Sequence, residues 1–331
     1  STCQISLDEA TGWLIGEPHK GLNAMFVMMN AARLGVGLQS LGLTEAAYQN
    51  ALAYSKERLQ MRSLSGVKAP DQPADPIIVH PDVRRMLLTA KAYAEGGRAF
   101  ASFIALLIDR ELSHPDEAVR KESGELVALL TPIVKAFMTD NGWIATSEAM
   151  QAHGGHGYIT GTGIEQYVRD ARINMIYEGT NTVQSLDLLG RKILMDNGAK
   201  LRKFGAMVQA FIEENGTIDA MSEFVTPLAD LGEKVIKLTT EIGMKAFQNQ
   251  DEVGAAAVPY LRVVGHLVYA WFFARMAKIA LARLDSGDNF YKAKLATARF
   301  YYARLLPETA MLIRQARAGA KSLLELEAEL F

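Results

Sequence analysis

The 331 residues are 49% hydrophobic and 22% charged, the make-up of an ordinary globular chain long enough to bury a sizeable core. A net charge of -2 offers no basic field for nucleic acid, and a single cysteine, Cys3, excludes an internal disulfide framework and suits a reducing compartment. No uncharged apolar run is long enough for a transmembrane helix, and the opening STCQISLDEA is neither a signal nor a transit peptide; it lacks an initiator methionine, which suggests a trimmed chain.

Residues 1–16 read as strand, turn and strand, with Ile5 and Leu7 alternating and Trp13-Leu14-Ile15 following Thr11-Gly12. Residues 16–21 are a break that contains His19. A helix is predicted over 22–62, where Met25, Phe26, Met28, Met29, Leu34, Leu38 and Leu41 recur near the helical period as core filler. Gly35, Gly37 and Gly42 each cost that helix about 1 kcal/mol, which close packing against a helix or a ligand would justify. Arg33 lies in an apolar stretch, where an unpaired charge is expensive. Arg58 reads equally well as a solvated helix end.

A proline-rich loop over 63–81 includes His80. Further helices are predicted over 82–112, from 117 to about 140 with a possible kink at Pro132, and over 142–152. Short breaks between them suit an antiparallel bundle. Then come Gly154, Gly155, Gly157 and Gly161, whose backbone permits close approach and suits an anionic phosphate. A short helix over 164–172 comes next, and Ile173, Met175 and Ile176 are expected to carry Glu178 into a dry setting. Thr180 or Asn181 caps the next helix, which runs to a stop at Asn197-Gly198. Taken alone, Glu178 also reads as a helix-start glutamate favoured by the dipole. Helices over 199–214, 219–249, 252–285 and 287–329 complete the chain, with His266 a satisfied core histidine. His153 and His156 have no acidic or thiol neighbour to complete a metal set, so no metal is expected.

The loop Gln151-x-x-Gly154-Gly155-x-Gly157-Tyr158, with Arg169-Asp170 and Ile176-Tyr177-Glu178-Gly179-Thr180 after it, resembles the C-terminal region of the flavin-dependent acyl-CoA dehydrogenases. Glu57-Arg58 matches a further family position, although Met61-Arg62 stands where the family commonly has an aromatic residue and a glycine. The stretches at Met28, Val79 and Asp288 resemble the long bacterial methylthiopropionyl-CoA dehydrogenase branch, so the likeness covers the whole chain. It implies an all-α fold: an acyl-CoA dehydrogenase-like helical bundle over 21–196, an appended helical domain over 197–331, and a remnant β-hairpin over 1–20 ending a middle β-domain. It also implies a C-terminal fragment of a longer cytoplasmic bacterial enzyme.

The same resemblance gives the roles. Glu178 is the base for the α-proton of an acyl-CoA. Its amide polarises the thioester carbonyl. Arg33, Tyr177 and Gly179 meet substrate. Thr180 contacts FAD, while Arg58, Gln151, Gly154 and Gly155 reach the FAD of a neighbouring subunit, hence a homodimer or homotetramer. No side chain accepts hydride, so a flavin must. Electron-transfer flavoprotein is the implied acceptor. An acyl-CoA oxidase, separable by its oxygen consumption, and a non-catalytic helical module, separable by its lack of flavin, remain open.

Overall fold

A computed structural model describes residues 3–331. Three long helices form the frame: α1 (Gly21–Glu57), α2 (Pro81–Ser113) and α3 (Glu117–His153). Pro81 opens α2, where its missing N–H costs nothing. Asp116 caps α3 by accepting from the Ala118 amide at 2.8 Å, and Gly154 ends it at φ 61°. The two helices expected over 117–152 are one, and it runs through Pro132. Gly142 is no stop. Its bare Cα makes room for Ser40 of α1, whose hydroxyl donates to the Met138 carbonyl at 2.9 Å. Gly37 serves the same contact from the other side, since a Cβ there would lie 2.5 Å from Val134. Gly35 and Gly42 face open space, so close packing does not account for them.

Besides the single turns Gly155–Tyr158 and Lys321–Leu324, the other α-helices are α4 (Ile164–Asn174), α5 (Asn181–Leu186), α6 (Ala199–Asn215), α7 (Ser222–Gln248), α8 (Asp251–Leu281), α9 (Asn289–Phe300) and α10 (Glu308–Arg317). α5 continues into a π-helical stretch, Asp187–Leu194, before the expected stop at Asn197 (φ 49°) and Gly198 (φ 72°). The single helix expected over 287–329 is instead broken by a second π turn at Tyr301–Leu305 and by Pro307. α8 is apolar all round because it is surrounded. It is the one described helix long and apolar enough to cross a membrane, yet 67% of that stretch is buried inside the fold. One continuous core joins α2 and α3 to α6, α7, α8, α9 and α10. His266 lies fully within it, its Nδ1 2.9 Å from the Tyr301 hydroxyl.

The fold is all-α as expected, with no strand among the described residues. The hairpin expected over 1–20 is therefore absent from residues 3–20, residues 1 and 2 lying outside the described part. Trp13 is 84% and Ile15 91% exposed, and residues 3–20 are exposed throughout. Two strands without a third or an apolar cover do not hold in water. The start of α1 is uncovered as well. Met25, Phe26 and Met28 are exposed rather than core. The loop before α2 is held by Asp75, a fully buried carboxylate that accepts from the Ser63, Lys68 and Ala69 amides and from Arg62.

Candidate functional site

The turn between α4 and α5 carries Glu178. This residue adopts φ 57° and Gly179 φ 82°, a left-handed pair unusual for a glutamate. Such a conformation persists only where its surroundings hold it. Here the Asn181 amide donates to the Met175 carbonyl at 3.1 Å, and Thr180 caps α5 by accepting from the Val183 amide at 3.3 Å. The fully buried Gln184 donates from Nε2 to the Gly179 carbonyl at 3.3 Å. A Cβ on Gly179 would lie 2.7 Å from that nitrogen and 3.6 Å from Arg33 Nη2, so the Gln184 amide would have to shift, and the left-handed φ disfavours any side chain.

Arg33, Tyr177, Glu178, Gly179 and Thr180 thus form one cluster. Arg33 is 8% exposed and pairs with Asp187 at 3.7 Å, while its Nε has no partner among the described residues. The Tyr177 hydroxyl donates to Gln39, and burial raises its pKa. The Glu178 carboxylate has no hydrogen-bond or ion-pair partner among the described residues, and its amide has no acceptor there. The setting is less dry than expected. Glu178 is half-buried, and Ile173 and Ile176 are exposed. The last turn of α4 buries Asn174 instead and points its apolar side chains outward.

Beneath the turn lies a group that the sequence did not single out. Lys135 is fully buried on α3 and donates to Asn181 Oδ1 at 2.9 Å. Burial pulls its pKa down to about 8 against the attraction of Asp140 and Glu178, and Arg33 adds to the fall. Asn181 Nδ2 donates to Asp140 Oδ1 at 2.6 Å. Burial pushes the Asp140 pKa up, with Arg262, Asn181 and Lys135 opposing. The signal was available: Lys135 interrupts the run Leu129 to Phe137 as Arg33 interrupts its own apolar stretch.

The other predicted residues gather elsewhere. Arg58 caps the far end of α1 and is exposed, as are Gln151, Gly154 and Gly155. Tyr54, one turn before Arg58, stacks on His153 with ring centroids 4.4 Å apart and ties the glycine turn to this end of α1. Arg33 and Arg58 are 25 residues apart on α1, roughly 37 Å at 1.5 Å per residue. Gly157 is required by close packing, a Cβ there falling 2.6 Å from the Met150 carbonyl oxygen, whereas Gly154 and Gly155 face open space. No group of three or more potential metal ligands occurs among the described residues. A cavity of about 1680 Å³ lies between α6, α7 and α8 and is not lined by Glu178.

Residues 19–194 match the family model for the acyl-CoA dehydrogenase C-terminal domain, and residues 204–327 match one described as acetyl-CoA dehydrogenase C-terminal like. The chain belongs to the acyl-CoA dehydrogenase family. Over 93% of its length it is 40% identical to the 3-methylmercaptopropionyl-CoA dehydrogenase of Ruegeria pomeroyi, covering 52% of that protein. Over the same share of its length, 93%, it is 34% identical to a broad-specificity linear acyl-CoA dehydrogenase of Mycobacterium tuberculosis, covering 53% of it. The chain thus spans about half the length of the relatives it matches. The crystal structure of a Bacillus anthracis acyl-CoA dehydrogenase complexed with FAD superposes with a TM-score of 0.71 at 20% identity, over 95% of this chain and 52% of that one, a likeness of fold.

The acyl-CoA dehydrogenase family implies FAD, and the residues present fit it in two separate patches. Open backbone at Gly154 and Gly155 beside the exposed Arg58 suits a pyrophosphate. The Thr180 hydroxyl, which accepts from Val183, keeps its proton free to donate.

Proposed function

We propose that this chain supplies the proton-abstracting side of an acyl-CoA dehydrogenase, acting between Cα and Cβ of an acyl thioester. The observation that carries the reading is the free, half-buried Glu178 carboxylate on its left-handed turn. Glu178 takes the α-proton. Its unbonded amide donates to the thioester oxygen, on which charge develops as that proton leaves. Gly179 offers no side chain where the acyl group passes, and Arg33 and Tyr177 border the same space. FAD, when bound, accepts the β-hydride. Thr180 holds it from the Glu178 side, whereas Arg58, Gln151, Gly154 and Gly155 hold the flavin of a second copy. That division is the one the family likeness implies, and in this reading it makes the enzyme a homodimer or a dimer of dimers. Residues 21–196 form the dehydrogenase unit in this reading and 197–331 the appended one. Electrons leave to electron-transfer flavoprotein, in the cytoplasm.

The test is Glu178→Gln in the flavin-loaded enzyme, mixed anaerobically with acyl-CoA. The variant keeps its flavin spectrum and its acyl-CoA affinity but bleaches at least about a thousandfold more slowly, a general-base loss. Bleaching at the parent rate would remove Glu178 as the base.

A further inference from the structure

Asn181, the first residue after the Glu178-Gly179-Thr180 turn, is held by opposite charges at the two ends of its amide. Its oxygen accepts from Lys135 Nζ at 2.9 Å and from Thr139 Oγ1 at 3.3 Å. Its nitrogen donates to Asp140 Oδ1 at 2.6 Å and to the Ala136 carbonyl at 3.3 Å. The other Asp140 oxygen faces Arg262 Nη1 of α8 at 3.6 Å. Arg262 in turn donates from Nε and Nη2 to Glu308 Oε1 of α10 at 2.9 and 2.7 Å, and from Nη2 to Asn141 Oδ1 at 3.4 Å. Glu308 Oε2 lies 3.5 Å from His266 Nε2.

We propose that the C-terminal helices position the Glu178 turn: Arg262, oriented by Glu308, holds Asp140, and Asp140 with Lys135 clamps Asn181. Resting on the reading of Glu178 as base, this gives residues beyond 197 a role in the reaction without contact to substrate. A buried carboxylate needs a cation. Remove Arg262 and Asp140 either takes a proton or turns toward water, and the charge-assisted bond to Asn181 weakens. The left-handed Glu178 backbone then loses what holds it, relaxes, and moves the carboxylate off its line to the α-proton. Arg262, Asp140, Lys135 and Asn181 are positioning residues.

The experiment is amide hydrogen exchange on the flavin-loaded enzyme for Arg262→Met, Arg262→Lys and Glu308→Gln, paired with steady-state kinetics on a saturated straight-chain acyl-CoA. Arg262→Met is expected to exchange about tenfold faster over residues 175–184, while the α8 core over 263–274 keeps parental protection. Its kcat falls about tenfold and its KM stays within about twofold. Arg262→Lys recovers part of both effects, and Glu308→Gln falls between. Parental exchange over 175–184 in Arg262→Met overturns the proposal. So does acceleration spread equally over 263–274 in all three variants, because the network is then plain core. Glu178→Gln, run alongside, separates the two readings. If it reduces flavin normally the base assignment fails, and the exchange data still decide the clamp.

Discussion

Replacing Lys135 by methionine tests the buried amine directly. The ordinary lysine pKa is 10.5, and in the fold it is about 8, chiefly because burial disfavours the ammonium. Between those values the unfolded chain holds a proton that the folded chain has released. Stability therefore rises with pH across that window, and below it the folded state bears the full cost of the buried charge. A drop of that size corresponds to about 3 kcal/mol at about 1.4 kcal/mol per pH unit. Asp140 and Glu178 face the amine, and water reaches it on small relaxations, so a realistic figure is about 1–2 kcal/mol. The assay is urea unfolding of parent and Lys135→Met at about pH 7 and about pH 10, with the variant subtracted to cancel other titrating groups. The parent should gain about 1–2 kcal/mol on the variant as pH rises. Equal differences at both pH values would refute the depressed pKa, and a relative loss for the parent would reverse its sign.

Gly179→Ala should cost about 1–3 kcal/mol from its left-handed backbone and its contact with Gln184, and should raise the acyl-CoA KM because Arg33 shares the space; a thermal melt and substrate titration unchanged from the parent would count against both. Acting first through the Ser63 amide, the loop holds the Asp75 carboxyl well below its usual range. That contribution is complete above the ordinary carboxylate pKa and is lost as pH falls through the lower folded value. Asp75→Asn should mimic the acid state at neutral pH and open residues 62–75 to limited proteolysis, and a variant as resistant as the parent would show that the loop has other anchors.

The sequence made α2, α6, α7 and α8 legible because Pro81, Asn197-Gly198 and long apolar periods mark them locally. It misled where a distant partner sets the outcome. Gly142 looks like a break until Ser40 is known to occupy its side-chain space. Pro307 and the π turn at Tyr301 divide a stretch whose apolar pattern runs on. The strand pattern at Ile5 and Trp13 has the right alternation, yet both side chains stand in solvent. Within the site, the Glu178-Gly179-Thr180 cluster was legible as a motif, and Arg33 as a charge in an apolar stretch. Lys135 carries the same signal as Arg33, but Asp140 and Arg262 do not, because their meaning lies in each other across α3 and α8.

The π-helical stretch after α5 bears on how the site could change. Asp187 opens that stretch, and it is the partner of Arg33. A π turn is an α-helix with a residue to spare. Losing one residue between 187 and 194 would restore ordinary helical bonding, and because the π turn already absorbs a residue, the helix on either side would keep its facing. Leu189 and Ile193 stay in the core, whereas a deletion at 187 itself brings Leu186 to that place and leaves Arg33 an uncompensated cation beside Gly179. Where in that helix a residue is lost, as much as the identity of residue 187, thus decides whether the guanidinium is neutralised or available to an incoming anion.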